Sequence, residues 1–399
     1  MYAYLRPISK AYTYKDDTAK SLDSITLGSF KFAPKTDCLG RNRGKTVETG
    51  GHKIAEEQIT YLKFGDHATN IPATVYYGNV KNGNYAFSDH FKYKYDSMGN
   101  ITEIRENGEL YAKYTYDTIG RLVREDNKKL GKTTTFTYDT NGNILCRKEY
   151  AFTLTDKLDE LDCTDFVYTY DGDKLLSYNG EACEYDAIGN PTTYRGLKAR
   201  WANGRQLSSY NNTPFTYDNL GRRISKNSVT FTYDANGNLI RQNNGISFIY
   251  DASGVCGICY GNSTYFYRKD ILGNIVALLN ANGEIVAEYT YDAWGNHTVT
   301  ATEGNETIAN LNPFRYRGYY YDTGIGLYFL KTRYYDPETG RFMTIDDISY
   351  LDPDSINGLN LYAYCRNNPV MCVDPSGRFL ISTAVAVGFW IGLGLSKSM

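Results

Sequence analysis

The sequence has little of what proteins that bind nucleic acids or metals usually show. Its 43 lysines and arginines are balanced by 45 aspartates and glutamates, and both signs are interspersed, for a net charge of -2. We therefore expect no basic face and no nucleic-acid partner. The four histidines stand alone, without HExxH or paired spacing, so we expect neither a metal site nor a cofactor. They are His52, His67, His90 and His297.

Export signals, dense cysteines and nucleophile motifs are missing as well. The eight cysteines are spread over the whole chain, unlike the framework of a small secreted domain. Cys256 and Cys259 form a lone CxxC in an alternating stretch, and we expect them to be strand cysteines. The N-terminus has no apolar run, so no signal peptide is visible. No Gly-x-Ser-x-Gly elbow occurs, which disfavours an ordinary small-molecule enzyme.

Tyrosine and glycine are abundant, with 39 and 37 residues, and they recur in a fixed phrase. The phrase Tyr-Asp-x-x-Gly occurs eight times from residue 95 onward, which predicts one repeat array in place of several unrelated domains. The eight units begin at Tyr95, Tyr116, Tyr138, Tyr185, Tyr217, Tyr233, Tyr250 and Tyr291.

Each unit predicts a turn between two strands. Before the aspartate the chain alternates, as in Phe136-Thr137-Tyr138, so the rings share one face and the threonines the other. The aspartate is expected to accept backbone N–H bonds in the turn, and the glycine to supply positive φ. Asn or Arg follows, and then a new apolar strand.

Asn-Gly pairs predict hairpin turns at the opposite end of the strands. They occur at Asn82, Asn107, Asn141, Asn179, Asn203, Asn236, Asn244, Asn282 and Asn357. Two turn classes at opposite ends produce a continuous antiparallel sheet, in which cross-strand aromatic pairs add many small stabilising terms. The sequence thus predicts an all-β fold.

Four segments follow from the distribution of the repeats. Residues 1–90 are predicted to be degenerate N-terminal repeats, because Asp37 to Arg41 matches only part of the phrase. Residues 91–310 hold the regular repeats, residues 311–378 form an aromatic and arginine-rich block, and residues 379–399 form a hydrophobic tail. Since the first segment already reads as repeats, we expect the chain to be part of a longer protein.

The repeats and two C-terminal blocks resemble the RHS/YD-repeat family and its RHS-associated core domain. The blocks are PFRYRGYYYD…RYYDPETGRF at 313–342 and NLYAYCRNNPVMCVDPSG at 360–377. The resemblance implies a long antiparallel β-hairpin strip of YD repeats that spirals into a hollow, here partial, shell, with residues 311–378 as the core domain. The family includes bacterial Rhs and wall-associated polymorphic toxins and the teneurin YD shell. In its bacterial members the core closes the shell, and a variable toxin follows the Asp-Pro-x-Gly motif.

The resemblance also implies a candidate site. In members that cleave themselves, the core resembles an aspartyl autoprotease, whose carboxylates correspond by position to Asp346 and Asp374. Two carboxylates at one site split their pKa values, so that one acts as acid and the other as base. Asp347, Asp352 and Asp354 crowd the first candidate, and Arg378 stands where cleaving members carry leucine. Asp-Pro-Ser-Gly also forms turns without catalysis, so a structural role and cleavage after Arg378 both remain open.

The tail is a separate feature. Phe379 to Leu395 is seventeen residues without a charge and contains a Gly388-x-x-x-Gly392 spacing. This length is the lower limit for a membrane-spanning helix, and the glycines allow two helices to pack closely. We expect a short helical segment that contacts a membrane or, alternatively, begins a cargo domain. Only four residues follow Leu395, so we expect no complete effector in this chain.

Two functions are compatible with these features. The first is a non-catalytic shell or carrier that encloses or presents a C-terminal effector in interbacterial competition, secreted or at the bacterial cell surface. Its partners are the effector and, indirectly, an immunity protein. The second is a cell-surface adhesion or carbohydrate-binding protein, with rows of Tyr and Asn contacting cell wall or glycans. Self-cleavage is the only enzymatic activity expected in either case. The C-terminal blocks favour the carrier.

Overall fold

The chain runs as a meander in which neighbouring strands in the sequence pair antiparallel. The structure is a computed structural model that describes residues 10–14, 22–251, 253–350, 358–378 and 380–382. Fifteen strands in sequence order form the first sheet. They are β1 (Lys10–Tyr14), β2 (Leu22–Leu27), β3 (Phe30–Thr36), β4 (Asn42–Thr49), β5 (His52–Phe64), β6 (His67–Lys81), β7 (Asn84–Tyr95), β8 (Ile101–Glu106), β9 (Glu109–Tyr116), β10 (Leu122–Asn127), β11 (Lys132–Tyr138), β12 (Ile144–Ala151), β13 (Thr164–Asp171), β14 (Lys174–Tyr178) and β15 (Glu181–Ala182).

A second sheet of fourteen strands continues the meander. Its strands are β16 (Glu184–Tyr185), β17 (Pro191–Tyr194), β18 (Leu197–Ala202), β19 (Gln206–Tyr210), β20 (Thr213–Tyr217), β21 (Arg223–Lys226), β22 (Val229–Tyr233), β23 (Leu239–Gln242), β24 (Ile246–Asp251), β25 (Gly254–Tyr260), β26 (Ser263–Lys269), β27 (Ile275–Leu279), β28 (Ile285–Tyr291) and β29 (His297–Ala301). The short helix α1 (Glu306–Leu311) follows β29 and packs against it. We refer to the two large sheets together as the strip.

The C-terminal block forms a separate small body, which we call the plug (residues 313–350 and 358–378). It contains a four-stranded antiparallel sheet and the first strand of a two-stranded one. Its strands are β30 (Tyr320–Asp322), β31 (Leu327–Phe329), β32 (Tyr334–Asp336), β33 (Arg341–Phe342) and β34 (Cys372–Val373), which pairs with β35 (Ile381–Ser382). Plug rings pack on strip rings, with Phe314 4.8 Å from Phe248 and Tyr334 5.7 Å from Phe215 between centroids. The plug therefore shares one aromatic core with the strip.

The repeat phrase folds as a closed turn, as the unit at Asp96 shows. The Asp96 Oδ1 atom accepts the backbone N–H groups of Met98 and Asn100, both at 2.9 Å, and Gly99 has a φ of 85°. The Asn100 side chain then donates to Asp96 Oδ2 at 2.9 Å. Where the residue after the glycine is arginine, its Nε atom makes the same bond, as Arg121 does to Asp117 at 2.7 Å. The aspartate and glycine roles are confirmed, and the residue after the glycine proves to be part of the turn.

The opposite ends of the strands use Asn-Gly turns, but fewer than predicted. At Asn82-Gly83 both residues have positive φ, 52° and 76°, as a two-residue hairpin requires. Asn141 instead lies inside a repeat turn, because its N–H donates to Asp139 Oδ1 at 2.9 Å. Asn236 lies in the same way in the turn at Asp234. The prediction that these two pairs close the opposite end is therefore wrong, since an upstream aspartate engages the backbone first. Asn282 donates to Asn280 in a similar manner, but its turn joins β27 to β28 at the end opposite the turns at Asp270 and Asp292, as predicted.

Two units depart from the rule in informative ways. The unit at Asp251 has Val255 after the glycine, and Asp251 Oδ2 instead accepts a bond from Lys45 Nζ at 2.8 Å, on a strand far away in the sequence. In the turn at Asn280 the polarity is reversed, because Asn280 Nδ2 donates to Glu284 Oε2 at 2.9 Å. The turn thus requires a complementary pair, with the donor and the acceptor free to exchange places.

The tyrosines of most repeats join their units to an earlier strand. The Tyr116 hydroxyl donates to the Ile101 carbonyl at 2.7 Å, and the Tyr138 hydroxyl donates to the Leu122 carbonyl at 2.6 Å. The same bond recurs at Tyr95, Tyr170, Tyr217, Tyr233, Tyr250 and Tyr291. A phenylalanine could not make this bond, which explains why tyrosine recurs.

The strip winds back on itself, so that its first strands lie beside its last. Phe30 packs against Phe266 with centroids 4.6 Å apart, and the Val80 N–H donates to the Gly283 carbonyl at 2.9 Å. The side chains of β2 to β5 and β24 to β28 share a small apolar cluster. The all-β, hairpin-built fold is confirmed. The predicted boundary after residue 90 falls within β7, and the boundary after residue 310 falls within α1.

Candidate functional site

Asp374 forms the turn that ends the plug. Its Oδ1 atom accepts the N–H groups of Ser376, Gly377 and Arg378 at 3.2, 2.8 and 3.1 Å. Its own N–H donates to the Tyr319 hydroxyl at 3.0 Å. The carboxylate is 3% exposed, so the turn is locked inside the plug by its own backbone. These bonds account for the Asp-Pro-Ser-Gly motif as a structural element.

Arg333 brings the two predicted aspartates together. Its Nη2 atom lies 2.7 Å from Asp346 Oδ2 and 3.5 Å from Asp374 Oδ2. Its Nη1 atom donates to the Leu361 carbonyl at 2.9 Å, and its Nε atom donates to the Gly377 carbonyl. The guanidinium stacks on the Phe342 ring at 3.5 Å. One buried cation therefore holds both carboxylates and the backbone next to the candidate cleavage position.

Asp346 is the candidate for the first position that pairs with Arg333. Its Oδ1 atom accepts the Asp347 N–H at 2.8 Å, and its backbone carbonyl accepts a bond from Arg205 at 3.1 Å. Asp347 is exposed and accepts the Ser349 N–H at 2.9 Å, away from Arg333. Asp352 and Asp354 lie outside the residues that the structure describes.

The electrostatics of the three groups reflect their burial. Removal from water raises the pKa of Asp346 and of Asp374, while the positive charge of Arg333 opposes both shifts. Burial also lowers the pKa of Arg333 to about 10, so the guanidinium stays protonated at neutral pH. Two carboxyl groups with raised pKa values beside a peptide turn are groups that can accept and donate a proton.

Two other arginines of the plug bond to backbone carbonyl groups, in addition to their contacts with aromatic rings. Arg317 donates to the Leu272 carbonyl at 2.7 Å and to the Pro369 carbonyl, and Arg341 donates to the Asp173 carbonyl. Arg341 also stacks on Tyr170 at 4.9 Å. The carbonyls of Leu272 and Asp173 belong to turns of the strip, so these arginines join the plug to the strip through backbone atoms. Every residue has a carbonyl, and the sequence therefore does not indicate which one will be the partner.

Asparagines of the plug bind the repeat turns directly, which the sequence did not indicate. Asn360 donates to Asn143 Oδ1 at 2.7 Å, and Asn367 donates to the Gly142 carbonyl at 2.7 Å. Asn368 donates to Asn100 Oδ1 at 3.1 Å and to the Gly120 carbonyl at 2.8 Å. The plug therefore contacts the ends of several successive hairpins at one rim of the strip.

Two further expectations concern metals and membranes. Within the described residues, no group of three or more His, Cys, Asp or Glu side chains is placed to hold a metal ion. Among the same residues, every helix is too short or too polar to cross a membrane. The predicted apolar segment at 379–395 lies outside the described part of the chain except for residues 380–382.

Together these features define a β-strip of repeat hairpins, with a C-terminal plug that binds the turns at one rim of the strip. Residues 73–370 match the family model for the teneurin YD-shell. The chain belongs to this family, and the resemblance in the repeats and the plug is confirmed.

Two relatives indicate the kind of protein in which this shell occurs. The chain is 32% identical over 288 residues to the tRNA nuclease WapA of Bacillus subtilis, a match that covers 66% of this chain and 12% of that protein. It is 27% identical over 342 residues to the double-stranded DNA deaminase toxin A of Burkholderia cenocepacia, covering 71% and 22%. The chain thus spans only a small part of the length of these relatives.

Solved structures support the fold. The Tc holotoxin pore of Photorhabdus luminescens superposes with a TM-score of 0.64 at 18% identity, over 92% of this chain and 21% of that one. The TcdB2–TccC3 crystal structure gives a TM-score of 0.64 at 19% identity, over 92% and 22%. At this identity the likeness concerns the path of the backbone alone.

Proposed function

We propose that this chain is the closing part of a toxin shell, a non-catalytic carrier that encloses or presents a C-terminal effector in interbacterial competition. The supporting observation is the way in which the plug engages both large sheets. Arg147 of β12 bonds Glu338 at 2.8 Å, and Tyr194 of β17 bonds Asp336 at 3.1 Å. The plug thus holds the two sheets in one body, as the closure of a shell requires. The toxin relatives make an effector the natural cargo.

Partners and location follow from this proposal. The effector would follow the plug in a longer protein, and an immunity protein would act on the effector and not on the shell. The protein would be secreted or held at the bacterial surface, where such effectors are delivered. Contact with a membrane through the apolar tail belongs to the same proposal.

Limited proteolysis combined with size-exclusion chromatography tests the shell. The chain with an epitope at each end is treated with a dilute protease at neutral pH. We expect a monodisperse particle whose strip and plug survive intact, because a closed strip leaves no free sheet edges. Rapid digestion to hairpin-sized fragments would contradict the proposal. Binding of the intact chain to cell-wall glycans would support the adhesion function instead.

Self-cleavage after Arg378 is a second candidate, which the meeting of Asp346 and Asp374 at Arg333 supports. One carboxylate would take a proton from a water molecule whose oxygen bonds to the Arg378 carbonyl carbon. The bond to the Phe379 nitrogen would then break, and that nitrogen would receive the proton of the other carboxyl. The Asp374 Oδ1 atom accepts the backbone N–H of Arg378 at 3.1 Å, in the same residue as the carbonyl that would be attacked.

Intact mass spectrometry of the purified chain tests this candidate. We expect a fragment ending at Arg378 from the native chain and from Asp347→Asn, whose side chain is exposed and accepts the Ser349 N–H. Asp346→Asn and Asp374→Asn should give only the intact chain, with thermal unfolding confirming that each variant is folded. A native chain that remains whole, or a folded Asp374→Asn variant that still loses the tail, would exclude the candidate.

A further inference from the structure

His297 lies where the last repeat strand meets the plug. It is the first residue of β29, directly after the repeat turn at Asp292. Its Nε2 atom contacts Arg315 Nη1, and its Nδ1 atom lies 3.3 Å from the Gly295 carbonyl and 3.2 Å from the Tyr328 hydroxyl. The ring is half-buried and packs edge-on against Tyr321, with centroids 4.6 Å apart.

The arginine in this contact is held in place by the chain around it. Arg315 is 3% exposed, and its Nε and Nη2 atoms donate to the carbonyls of Asn312 and Asn310, both at 3.1 Å, where helix α1 ends. Its guanidinium also lies 4.9 Å from the Tyr321 ring. With two of its nitrogens bound, Arg315 can point only Nη1 towards the histidine.

Only one protonation state of His297 fits this geometry. A guanidinium has donors and no acceptor, so Nε2 must accept and must carry no proton. Nδ1 then carries the hydrogen and donates it to the Gly295 carbonyl. The other titratable groups around the ring are the hydroxyls of Tyr291, Tyr321 and Tyr328. None of the described groups that contact His297 is a carboxylate, so a second positive charge here would have no counter-ion.

We propose that His297 makes the joint between β29 and the plug open on acidification. The proposal rests on the carrier function and adds a condition, low pH, under which the plug would separate from β29. Protonation of Nε2 would place an imidazolium against a fixed guanidinium and remove the acceptor of Arg315 Nη1. Because the ring is half-buried, a proton from solvent can reach it without prior unfolding of the plug.

The direction of the effect follows from linkage. Burial and the charge of Arg315 lower the pKa of His297 from 6.5 to about 4. The open form therefore binds a proton more readily than the closed form, so the closed form is favoured above pH 6.5 and loses ground as the pH falls towards 4. Between pH 7 and pH 5 the equilibrium should shift towards the open joint by about twentyfold.

Hydrogen exchange at pH 7 and pH 5 measures this shift, with rates corrected for the intrinsic pH dependence of exchange. In the native chain we expect residues 313–330 to lose about twentyfold in protection at pH 5. His297→Gln retains an acceptor for Arg315 without the titration, so its protection should be unchanged between the two pH values. His52→Gln, at the exposed start of β5, is the matched control and should behave like the native chain.

A direct titration of the His297 ring by NMR gives an independent measurement. A midpoint near 4 would support the proposal, whereas a midpoint at 6.5 would overturn it. Equal pH profiles for the native chain and a folded His297→Gln variant would also overturn it. If the particle resists protease at neutral pH but the midpoint is 6.5 or the two pH profiles are equal, the proposed role of His297 is rejected and the carrier function is not. If the chain is digested at neutral pH, the carrier function fails first.

Discussion

The strip and the plug differ in how far apart in the sequence their polar partners lie. In a repeat turn, Arg222 pairs with Asp218 four residues before it, and both side chains are partly exposed. The next residue, Arg223, pairs with Asp322 of the plug, and both side chains are buried. Two adjacent arginines thus represent two kinds of stabilisation. In most strip turns the partners of a side chain lie within the turn itself. The partners of the plug are distant in the sequence, so these contacts exist only when the whole chain is folded.

This difference should appear in the energetics. Local pairs at the surface are screened by water and contribute little. Arg223 instead lies 4.4 Å from the Phe329 ring and 5.0 Å from the Tyr320 ring, with Lys226 also 2.9 Å from Asp322. Removal of Arg223 would leave the buried Asp322 carboxylate with Lys226 as its remaining cation and would remove the ring contacts, and breaking a buried pair in this way is strongly destabilising. The comparison therefore predicts that stability is sensitive to plug partners and tolerant of changes in single turns.

The largest effect is expected from Arg223→Gln. Loss of the cation leaves Asp322 buried without its main partner, at a cost of about 3 to 5 kcal/mol in the free energy of unfolding. Chemical denaturation measures this value, and Arg222→Gln is the matched control, with an expected midpoint close to that of the native chain. Equal midpoints for the two variants would remove the distinction between strip and plug.

A titrating contact between distant parts of the strip gives the next effect. Glu125 is 2% exposed, and its Oε2 atom accepts the Ala293 N–H at 2.9 Å, beside Asp292. Burial and the neighbouring carboxyl raise the pKa of Glu125, and burial raises that of Asp292. At these two groups the folded chain binds protons more tightly than the unfolded chain, so their contribution to stability is fully present below about pH 4.5 and is lost as the pH rises.

The Glu125→Gln variant tests this dependence. We expect its free energy of unfolding to vary less between pH 5 and pH 9 than that of the native chain, by up to about 1.4 kcal/mol per pH unit. Denaturation at several pH values provides the measurement. Parallel curves for the two proteins would show that the distant contact does not titrate in this range.

The smallest effect compares two asparagines in equivalent positions of repeat turns. Asn238 bonds Asp234 at 2.9 Å within its turn, whereas Asn143 bonds Asp139 at 2.9 Å and also accepts the plug's Asn360 at 2.7 Å. Asn143→Ala should cost about 2 kcal/mol and Asn238→Ala about 1 kcal/mol, because a buried acceptor partner is lost in the first. Thermal unfolding would settle the order, and a reversed order would show that the plug does not strengthen this turn.

The parts that were predictable from the sequence are those with local causes. The alternation in Phe136-Thr137-Tyr138 indicated a strand, and β11 ends at Tyr138. The aspartate and glycine of each turn were predicted because their bonds lie within four residues. Asn141-Gly142 was misassigned because two local signals overlap there, and the bond from Asn141 to Asp139 decides between them.

The distant contacts could not be derived in this way. Asp346 and Asp374 were identified by resemblance, but their shared partner Arg333 lies 41 residues before Asp374, with no pattern that links them. In the sequence, His297 was notable only for its isolation from other possible metal ligands, and the structure places it at the start of β29. Its contact with Arg315 depends on the return of the chain through α1, which a single sequence does not encode locally.

The tyrosine bonds have a consequence for the order in which the protein can form. Each repeat hydroxyl reaches back to a carbonyl made earlier, such as Tyr138 to Leu122 and Tyr291 to Ile275, both 16 residues upstream. A growing chain can therefore complete every hairpin soon after it leaves the ribosome. The partners of the plug, in contrast, lie up to 270 residues upstream. We therefore expect the hairpins of the strip to form during synthesis and the contacts of the plug to form after them.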